Sequence, residues 1–267
     1  MNNDIERDFN LGGTVEQALS GQYQLKIGDV LKEAWSHTIK HFLSFSPAIV
    51  MLIVAQLAIF FIALKLQIGD LSIITDVFTG QAEFPDGLGQ AIFIANFSYE
   101  VVSAPIYAGV SLMAMSHAAG LATKTRHISK GLQFTVPVII ATLCGLLLQG
   151  IASALFPLLS MYISLAFSNS VLLICEKHVS PLQSLWLSLR AVNKKLLQLA
   201  VIYALMMVMF IAAVLFYGIG LVFVLPFFFH VKGIIYRNMF GIRLKIVASN
   251  HSDDDNSQNQ NPQVFDA

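Results

Sequence analysis

The chain has 267 residues, of which 56% are hydrophobic and only 12% are charged. Soluble domains carry about 25% charged residues, so this composition excludes an ordinary soluble enzyme, a disordered protein and a nucleic-acid-binding protein. The 16 basic residues balance the 16 acidic ones, so the formal net charge is zero. This net charge does not indicate a binding partner, because in a membrane protein the placement of the charges matters.

A polar N-terminal segment, residues 1–26, comes before the first amphipathic pattern. From Ile27 to Phe42 the apolar side chains recur every three or four residues, with charged side chains on the opposite face. This spacing is typical of an amphipathic helix at a membrane surface. His37 and His41 stand four residues apart on its polar side, a spacing that can hold a metal ion. Two ligands without a third are weak evidence, so we expect both on the wetted face of the helix.

Six apolar runs are long enough to cross a membrane, since a crossing helix needs about 20 residues. The charge-free stretches 131–175 and 196–231 each exceed one crossing and must therefore turn once. Glycine and proline mark these turns, near residues 149–157 and at 218–220. The predicted spans are 42–64, 91–119, 133–152, 156–175, 196–217 and 220–237. The predicted fold class is all-α, a polytopic six-transmembrane helical bundle.

The basic residues predict the orientation of the bundle, because Lys and Arg in short loops are retained in the cytoplasm. With both termini inside, 15 of the 16 basic residues lie on the cytoplasmic side and only Lys65 lies outside. The first external loop, 65–90, is instead acidic. We therefore expect the N- and C-termini in the cytoplasm.

A second amphipathic helix is predicted after the fourth span, where Ser180, Pro181 and Gln183 suit a capped helix start. The segment 121–133 is a weaker third copy, so the bundle has two or three cytoplasmic amphipathic interfacial helices. Tryptophan favours the headgroup level, and basic side chains attract anionic lipids. The candidate headgroup contacts are Trp35, Trp186, Lys124, Arg126, Lys130, Arg190, Lys194 and Lys195. Docking of a partner on these helices is the alternative interpretation.

Two ionisable residues inside predicted spans are candidates for function, because charges in a bilayer are expensive. Glu100 lies about nine residues into the second span and His230 about ten into the sixth, both from the outer face. Similar depth predicts an intramembrane polar pair near the bilayer midplane. A proton or cation relay is the functional interpretation. The alternatives are a buried hydrogen-bonded pair and a Glu100 that faces water where Pro105 distorts the helix.

The sequence lacks the spacings that are typical of catalysis, such as a phosphate-binding glycine loop, HExxH, a nucleophile elbow or CxxC. Cys144 and Cys175, the only two cysteines, fall in different spans at different depths, which disfavours a disulfide. We therefore predict no enzyme activity, no catalytic residue, no cofactor and no metal site. Residues 246–267 are acidic, rich in amides and without periodicity, which is typical of a disordered cytoplasmic tail.

The C-terminal half carries two short patterns, one in the last cytoplasmic helix and one in the last span. They consist of Ser184, Leu185, Ser188, Lys194 and Lys195, and of Pro226, Tyr236, Arg237, Phe240 and Gly241. With the opening IGDVLKEAWSHTIKHF, they resemble uncharacterised six-helix bacterial inner-membrane proteins related to the membrane domain of glycerophosphoryl diester phosphodiesterases. The resemblance spans most of residues 27–245. It implies a noncatalytic membrane domain in a bacterial cell inner membrane and carries no active-site residue.

The sequence therefore predicts a cytoplasmic segment 1–26, a six-span membrane domain 27–245 and a disordered acidic tail 246–267. The predicted function is that of a noncatalytic scaffold or accessory component, in contact with the lipid bilayer and without a nucleic-acid partner. A small-solute or proton-coupled transporter or channel using Glu100 and His230 is the alternative. A membrane-embedded lipid enzyme ranks third, because the nucleophile, base or metal cluster that it requires is not found.

Overall fold

The computed structural model describes the backbone of residues 5–248 and the side chains of residues 9–77 and 79–244. Its α-helices are α1 (Val15–Ser20), α2 (Ile27–Lys40), α3 (Phe42–Ile68), α4 (Ser72–Phe78), α5 (Leu88–Ala118), α6 (Thr135–Leu155), α7 (Pro157–Ala166), α8 (Ser170–Lys177), α9 (Pro181–Lys194), α10 (Leu196–Leu215) and α11 (Leu221–Phe240). A 3-10 helix, Thr125–Phe134, joins α5 to α6. Two strands, β1 (Ile5–Leu11) and β2 (Ile242–Ala248), flank the helical part. Most of the predicted disordered tail, from residue 249 onward, lies outside the described residues.

Six helical segments of the described chain are long and apolar enough to cross a membrane, which confirms the predicted number. Five of them are α3, α5, α6 with the preceding 3-10 helix, α10 and α11, and the sixth combines α7 and α8. Both predicted turns are present: Pro157 starts α7 after the extended residue Phe156, and Gly218 has a positive φ between α10 and α11. The fold is that of a multi-pass helical membrane protein.

The fourth crossing is interrupted between α7 and α8, and a serine of α9 compensates for the break. The Asn169 backbone N–H donates to Ser188 Oγ at 3.3 Å, and Ser188 Oγ donates to the Ala166 carbonyl at 2.6 Å. Ser188 is completely buried. Non-helical backbone at membrane depth is tolerated only where protein groups satisfy it, so α9 is part of the packed bundle on this side and not only a surface element. Ser180 precedes α9, but its side chain makes no capping hydrogen bond.

Helices α5 and α11 form the centre of the bundle. In the most apolar window of each segment, 67% of the α5 residues and 61% of the α11 residues are buried, against 22% for α3, α6 and α10. Small residues allow the central helices to approach their neighbours closely, as is common in membrane bundles. A Cβ added to Gly131 of the 3-10 helix would lie 2.2 Å from the Pro105 carbonyl oxygen of α5. The outer helices therefore present most of their apolar surface away from the protein.

A two-stranded antiparallel sheet, which the sequence did not predict, is added to the helical bundle. β1 pairs with β2 from Ile5 opposite Ala248 to Leu11 opposite Ile242. Strand β1 lies in the predicted cytoplasmic segment, residues 1–26. Strand β2 continues past residue 245 into the predicted disordered tail, residues 246–267. Because the strands pair, both ends of the described chain lie on the same side of the bundle, as an even number of crossings requires.

Close packing of the 3-10 helix against α5 gives a first testable prediction. Gly131→Ala would place a methyl group against backbone atoms of α5, and overpacking of this kind costs about 1–3 kcal/mol. We expect a lower midpoint of thermal unfolding for the detergent-solubilised protein, followed by tryptophan fluorescence. Gly150→Ala is the matched control, because a Cβ at Gly150 of α6 meets nothing within 4 Å. Equal losses in the two variants would contradict the packing argument.

Candidate functional site

Four histidines from three helices meet at the end of the bundle where α2 and α9 lie. His37 is in the last turn of α2 and His41 follows that helix, His117 is in the last turn of α5, and His230 lies in α11. Their ring centres form a closed circuit. His41 and His117 are 4.0 Å apart, His117 and His230 are 5.2 Å apart, His230 and His37 are 6.0 Å apart, and His37 and His41 are 5.9 Å apart. We call these four residues the histidine cluster.

A hydrogen-bonded chain runs through the two fully buried members of the cluster. His117 Nε2 is 2.8 Å from Thr123 Oγ1, His117 Nδ1 is 2.9 Å from His230 Nε2, and His230 Nδ1 is 3.1 Å from Thr38 Oγ1. The Thr38 hydroxyl donates its single proton to the Ala34 carbonyl at 2.8 Å.

The direction of this chain follows from its last link, because a backbone carbonyl can only accept. His230 Nδ1–H must therefore donate to Thr38, and His117 Nδ1–H must donate to His230 Nε2. Thr123 then donates to His117 Nε2. Both imidazoles are neutral in this arrangement, and a single proton lies between their facing nitrogens.

An ion pair orients His37 from the other side. Arg237 donates from Nη1 to Glu33 Oε1 at 2.6 Å and from Nη2 to Glu33 Oε2 at 2.9 Å, and Nη1 also donates to the Ala118 carbonyl at 2.7 Å. His37 Nε2 is 3.4 Å from Glu33 Oε1. Burial raises the pKa of the Glu33 carboxyl, but the hydrogen bonds and charge of Arg237 outweigh it and leave that pKa below its usual value. Glu33 is therefore ionised at neutral pH and accepts from His37 Nε2–H.

Two buried nitrogens of the cluster have no hydrogen-bond partner within the described part of the chain. They are His37 Nδ1 and His41 Nε2, and both atoms are buried. Burial, with the nearby His37 and Lys40, lowers the pKa of His41 below its usual value, so its ring is neutral at pH 7. A buried polar atom without a partner costs about 1–3 kcal/mol.

A second group of polar contacts ties α8 and α11 together near the cluster. The Tyr236 hydroxyl donates to Glu176 Oε2 at 2.7 Å, and the other carboxylate oxygen accepts from Lys177 Nζ and from the Arg243 backbone N–H, both at 3.0 Å. Glu176 and Tyr236 are buried. These contacts satisfy the carboxylate inside the fold.

The lysine of α11 is bound in a similar way. Lys232 Nζ donates to the Tyr107 hydroxyl and lies 4.9 Å from the centre of the Tyr107 ring and 5.7 Å from that of Phe228. Only 8% of Lys232 is exposed. Its charge is thus held by aromatic side chains of α5 and α11.

The predicted pair of Glu100 and His230 is not formed. His230 bonds to His117, which lies 17 residues beyond Glu100 on the same helix, a distance of about 25 Å along its axis. Counting residues from the outer ends assumed that both helices start at the same level, but α5 has 31 residues and α11 has 20. Glu100 is exposed on the protein surface, and no described residue bonds to it. His117 takes its place as the partner of His230.

The expectation that His37 and His41 lie on a wetted helix face is corrected as well. The amphipathic pattern predicted which side of α2 is polar but not what covers that side, and the polar side of its last turn faces α5 and α11. Each of the two rings stacks on a buried histidine, His41 on His117 and His37 on His230.

The predicted headgroup contacts are mostly exposed. Trp35 is 48% exposed and Trp186 is 58% exposed. Among the basic candidates, the exposed ones are Lys124, Arg126, Arg190 and Lys194, and the half-buried ones are Lys130 and Lys195. Lys195 is already engaged, because its Nζ donates to the Tyr23 carbonyl and lies 5.0 Å from the centre of the Tyr23 ring.

The ion pair at the cluster gives a second testable prediction. Arg237→Ala would leave Glu33 charged and partly buried and would free the Ala118 carbonyl, and hydrogen bonds to charged groups contribute about 1.5–3 kcal/mol. We expect a clear fall in the thermal unfolding midpoint in detergent. Arg190→Ala is the control, since Arg190 is an exposed arginine of α9. A similar midpoint for both variants would show that the Arg237 contacts do not stabilise the fold.

Comparisons of the chain with protein-family models, with curated proteins and with solved structures find no match. The candidate functional features of the chain are the histidine cluster, the satisfied polar contacts around it, and the apolar surface of the outer helices.

Proposed function

We propose that the protein is a noncatalytic scaffold or accessory component of a bacterial inner membrane, with both termini in the cytoplasm. The six apolar helical segments support a multi-pass membrane protein. The exposed basic residues of the loop before the 3-10 helix and of α9 lie at one end of the bundle, and this end would face the cytoplasm and its anionic lipid headgroups. The resemblance of residues 27–245 to six-helix inner-membrane proteins favours the same class.

One observation carries the scaffold proposal: the buried charged side chains of the α2/α9 end bind to other parts of the fold. Glu176 is bound by Tyr236 and Lys177, and Lys232 by Tyr107. A transport path needs polar groups that are free to bind a passing solute. Here these groups hold one helix to another, which is the arrangement expected of a static bundle.

The transporter alternative loses the feature on which it rested, since Glu100 and His230 do not form a pair. Glu100 lies far along α5 from the histidine cluster. A relay between them would need further titratable groups along about 25 Å of helix. The scaffold proposal needs no such path.

The outer helices offer the surface that a scaffold requires. In the most apolar 18-residue stretch of each of the segments that contain α3, α6 and α10, only 22% of the residues are buried inside the protein. Trp186 of α9 is also largely exposed. Lipid covers such surfaces by default, and a second membrane protein can replace it through close van der Waals packing.

The proposed orientation gives a third testable prediction. In a variant with Cys144 and Cys175 replaced by serine, a cysteine at Asp86 would lie outside the cell and one at Lys124 inside; both positions are exposed. We expect a membrane-impermeant maleimide to label Asp86→Cys in intact cells and Lys124→Cys only after permeabilisation. The reverse pattern would contradict the proposed topology.

A fourth experiment distinguishes the scaffold from a transporter. We expect the protein, extracted from its native membrane in mild detergent, to copurify with a membrane protein in a fixed stoichiometry that survives size-exclusion chromatography. Purified protein in liposomes should give no proton or solute flux above that of empty liposomes. Flux that is lost in Glu100→Gln would overturn the scaffold proposal in favour of transport.

A further inference from the structure

We propose that a groove between α7 and α10 binds an acyl chain of one anionic phospholipid, whose phosphate lies on a basic face of α9. Only the choice of leaflet, the cytoplasmic one, rests on the proposed orientation of the bundle. The site requires neither a protein partner nor transport.

The groove is an apolar cavity of about 610 Å³. Its walls are α7 and α10, and Phe228 of α11 also lines it. Most of the lining side chains are aliphatic residues, methionines or aromatic residues. Ligand pockets commonly have volumes of about 300–1,000 Å³ and mostly apolar walls. This lining therefore suits a hydrocarbon chain and disfavours a polar solute.

The groove is long enough for a lipid chain in one leaflet. Its α10 residues extend from Leu196, at the start of the helix, to Phe210. This part of the helix rises by about 21 Å. One leaflet contributes about 15 Å of hydrocarbon, half of a core of about 30 Å. A chain that enters beside Leu196 can therefore follow the groove through the whole depth of its leaflet.

The width of the groove favours a single chain over a helix. Spread over a length of about 21 Å, the volume of about 610 Å³ gives a mean cross-section of about 30 Å². A helix 10–12 Å in diameter has a cross-section of about 80–110 Å². One extended hydrocarbon chain thus fits inside the groove, whereas a transmembrane helix of a partner does not.

A basic face of α9 lies at the end of the groove where α10 begins. The hydroxyl of Tyr162, a residue that lines the groove, donates to Asn193 Oδ1 at 2.8 Å. Arg190, Asn193 and Lys194 are three or four residues apart and therefore share one side of the helix. All three are exposed, and Trp186 lies one turn before Arg190. We call these four residues, Trp186, Arg190, Asn193 and Lys194, the α9 face.

The two cations of the α9 face are available to an anion. Within the described residues, neither Arg190 nor Lys194 forms an ion pair with an acidic side chain. Helix α9 itself contains no Asp or Glu. Arginine recognises a phosphate with two parallel hydrogen bonds, and basic groups beside transmembrane helices attract anionic headgroups. A zwitterionic headgroup would instead bring its own ammonium group close to the same cations.

The two parts of the site make separate contributions. The groove binds the acyl chain of any phospholipid, because it contacts hydrocarbon only. The α9 face distinguishes a headgroup with a net negative charge from a neutral one. Trp186, which is 58% exposed, adds an indole ring at the headgroup level, where tryptophan is favoured.

The test uses the full chain, purified in detergent and freed of copurified lipid. Phosphatidylglycerol and phosphatidylcholine with identical acyl chains are titrated into it, and native mass spectrometry measures the lipid bound per chain. We expect one saturable site for phosphatidylglycerol. Its affinity should exceed that of phosphatidylcholine by about 5-fold to 25-fold, since each basic side chain near an anionic lipid contributes about fivefold.

A charge variant tests the headgroup part of the site. The double variant Arg190→Gln/Lys194→Gln should lower the affinity for phosphatidylglycerol to that for phosphatidylcholine and leave the latter unchanged. The double variant Lys124→Gln/Arg126→Gln is the matched control, because both are exposed basic residues outside α9. It should keep the preference for phosphatidylglycerol.

A filling variant tests the groove. Ala204→Phe places a ring among the lining residues and should weaken the binding of both lipids at least tenfold. Leu205→Phe is the matched control at the same depth, because Leu205 is 42% exposed and does not line the groove. If Ala204→Phe does not fold, Ser164→Phe, which fills the groove from the exposed side of α7, decides.

Each outcome supports or overturns the site. One saturable site for phosphatidylglycerol, weakened in the α9 double variant and in the filling variant but in neither control, would support it. Equal affinity for the two lipids in the wild-type protein, or no saturable binding, would overturn it. Wild-type affinity in the folded filling variant would do the same. A membrane protein that no longer copurifies with Ala204→Phe, while phosphatidylglycerol binding is unchanged, would assign the groove to a partner instead.

The scaffold proposal is tested separately. Lipid binding in detergent depends neither on a copurifying protein nor on the pattern of maleimide labelling. A failed lipid experiment therefore leaves the scaffold proposal standing, and a failed copurification leaves the lipid site standing.

Discussion

The close contact between α5 and α11 governs the arrangement of the rest of the bundle. A Cβ added to Gly233 of α11 would lie 2.8 Å from the Ala114 carbonyl of α5, so the two helices touch almost backbone to backbone. They are the two most buried spans, and their neighbours pack around this contact. It sets which residues of the two helices are level with each other, and it brings His117 next to His230.

Beyond this contact, α11 is the element to which the other helices of the α2/α9 end are tied. His230 bonds to α5 and, through Thr38, to α2. Tyr236 bonds to Glu176 of α8, and Arg237 to Glu33 of α2. Hydrogen bonds are stronger in a low-dielectric interior, and polar groups left unsatisfied there are costly. The α2/α9 end is therefore held by a connected set of polar contacts, whereas α3, α6 and α10 mainly expose apolar surface.

The spans could be predicted from the sequence because their signal is local. The length of an apolar run is compared with one quantity, the thickness of the bilayer. The turns at Pro157 and Gly218 are recognised by residue type, because proline and glycine are typical of turns. The pairing of β1 with β2 is different. Both strands contain alternating apolar and polar residues, for example where Phe9 and Leu11 flank a polar residue of β1. The two strands that pair, however, lie at opposite ends of the described chain. A local pattern does not reveal such a long-range contact.

The histidine cluster was only partly visible in the sequence for a related reason. His37 and His41 were noticed because they share a helix face at a spacing of four residues. His117 ends a span and carries no spacing signal, and Thr38 counts as an ordinary member of the apolar stripe of α2. The depth estimate for His230 failed because it used the ends of two helices of unequal length. What joins these residues is the register of α5 against α11, which depends on tertiary packing.

The cluster also bears on the scaffold proposal in physical terms. Its two buried nitrogens without a partner in the described chain lie on residues at the end of α2, the helix that presents Trp35 on the surface. Each such atom costs about 1–3 kcal/mol while it stays unpaired. The ring contacts of the cluster form only when α2 is seated against α5 and α11, because the four rings come from these elements. They therefore hold the end of α2 in place and, with it, the outward face that carries Trp35. A scaffold built in this way would present the α2 surface to lipid or to a partner in a fixed position.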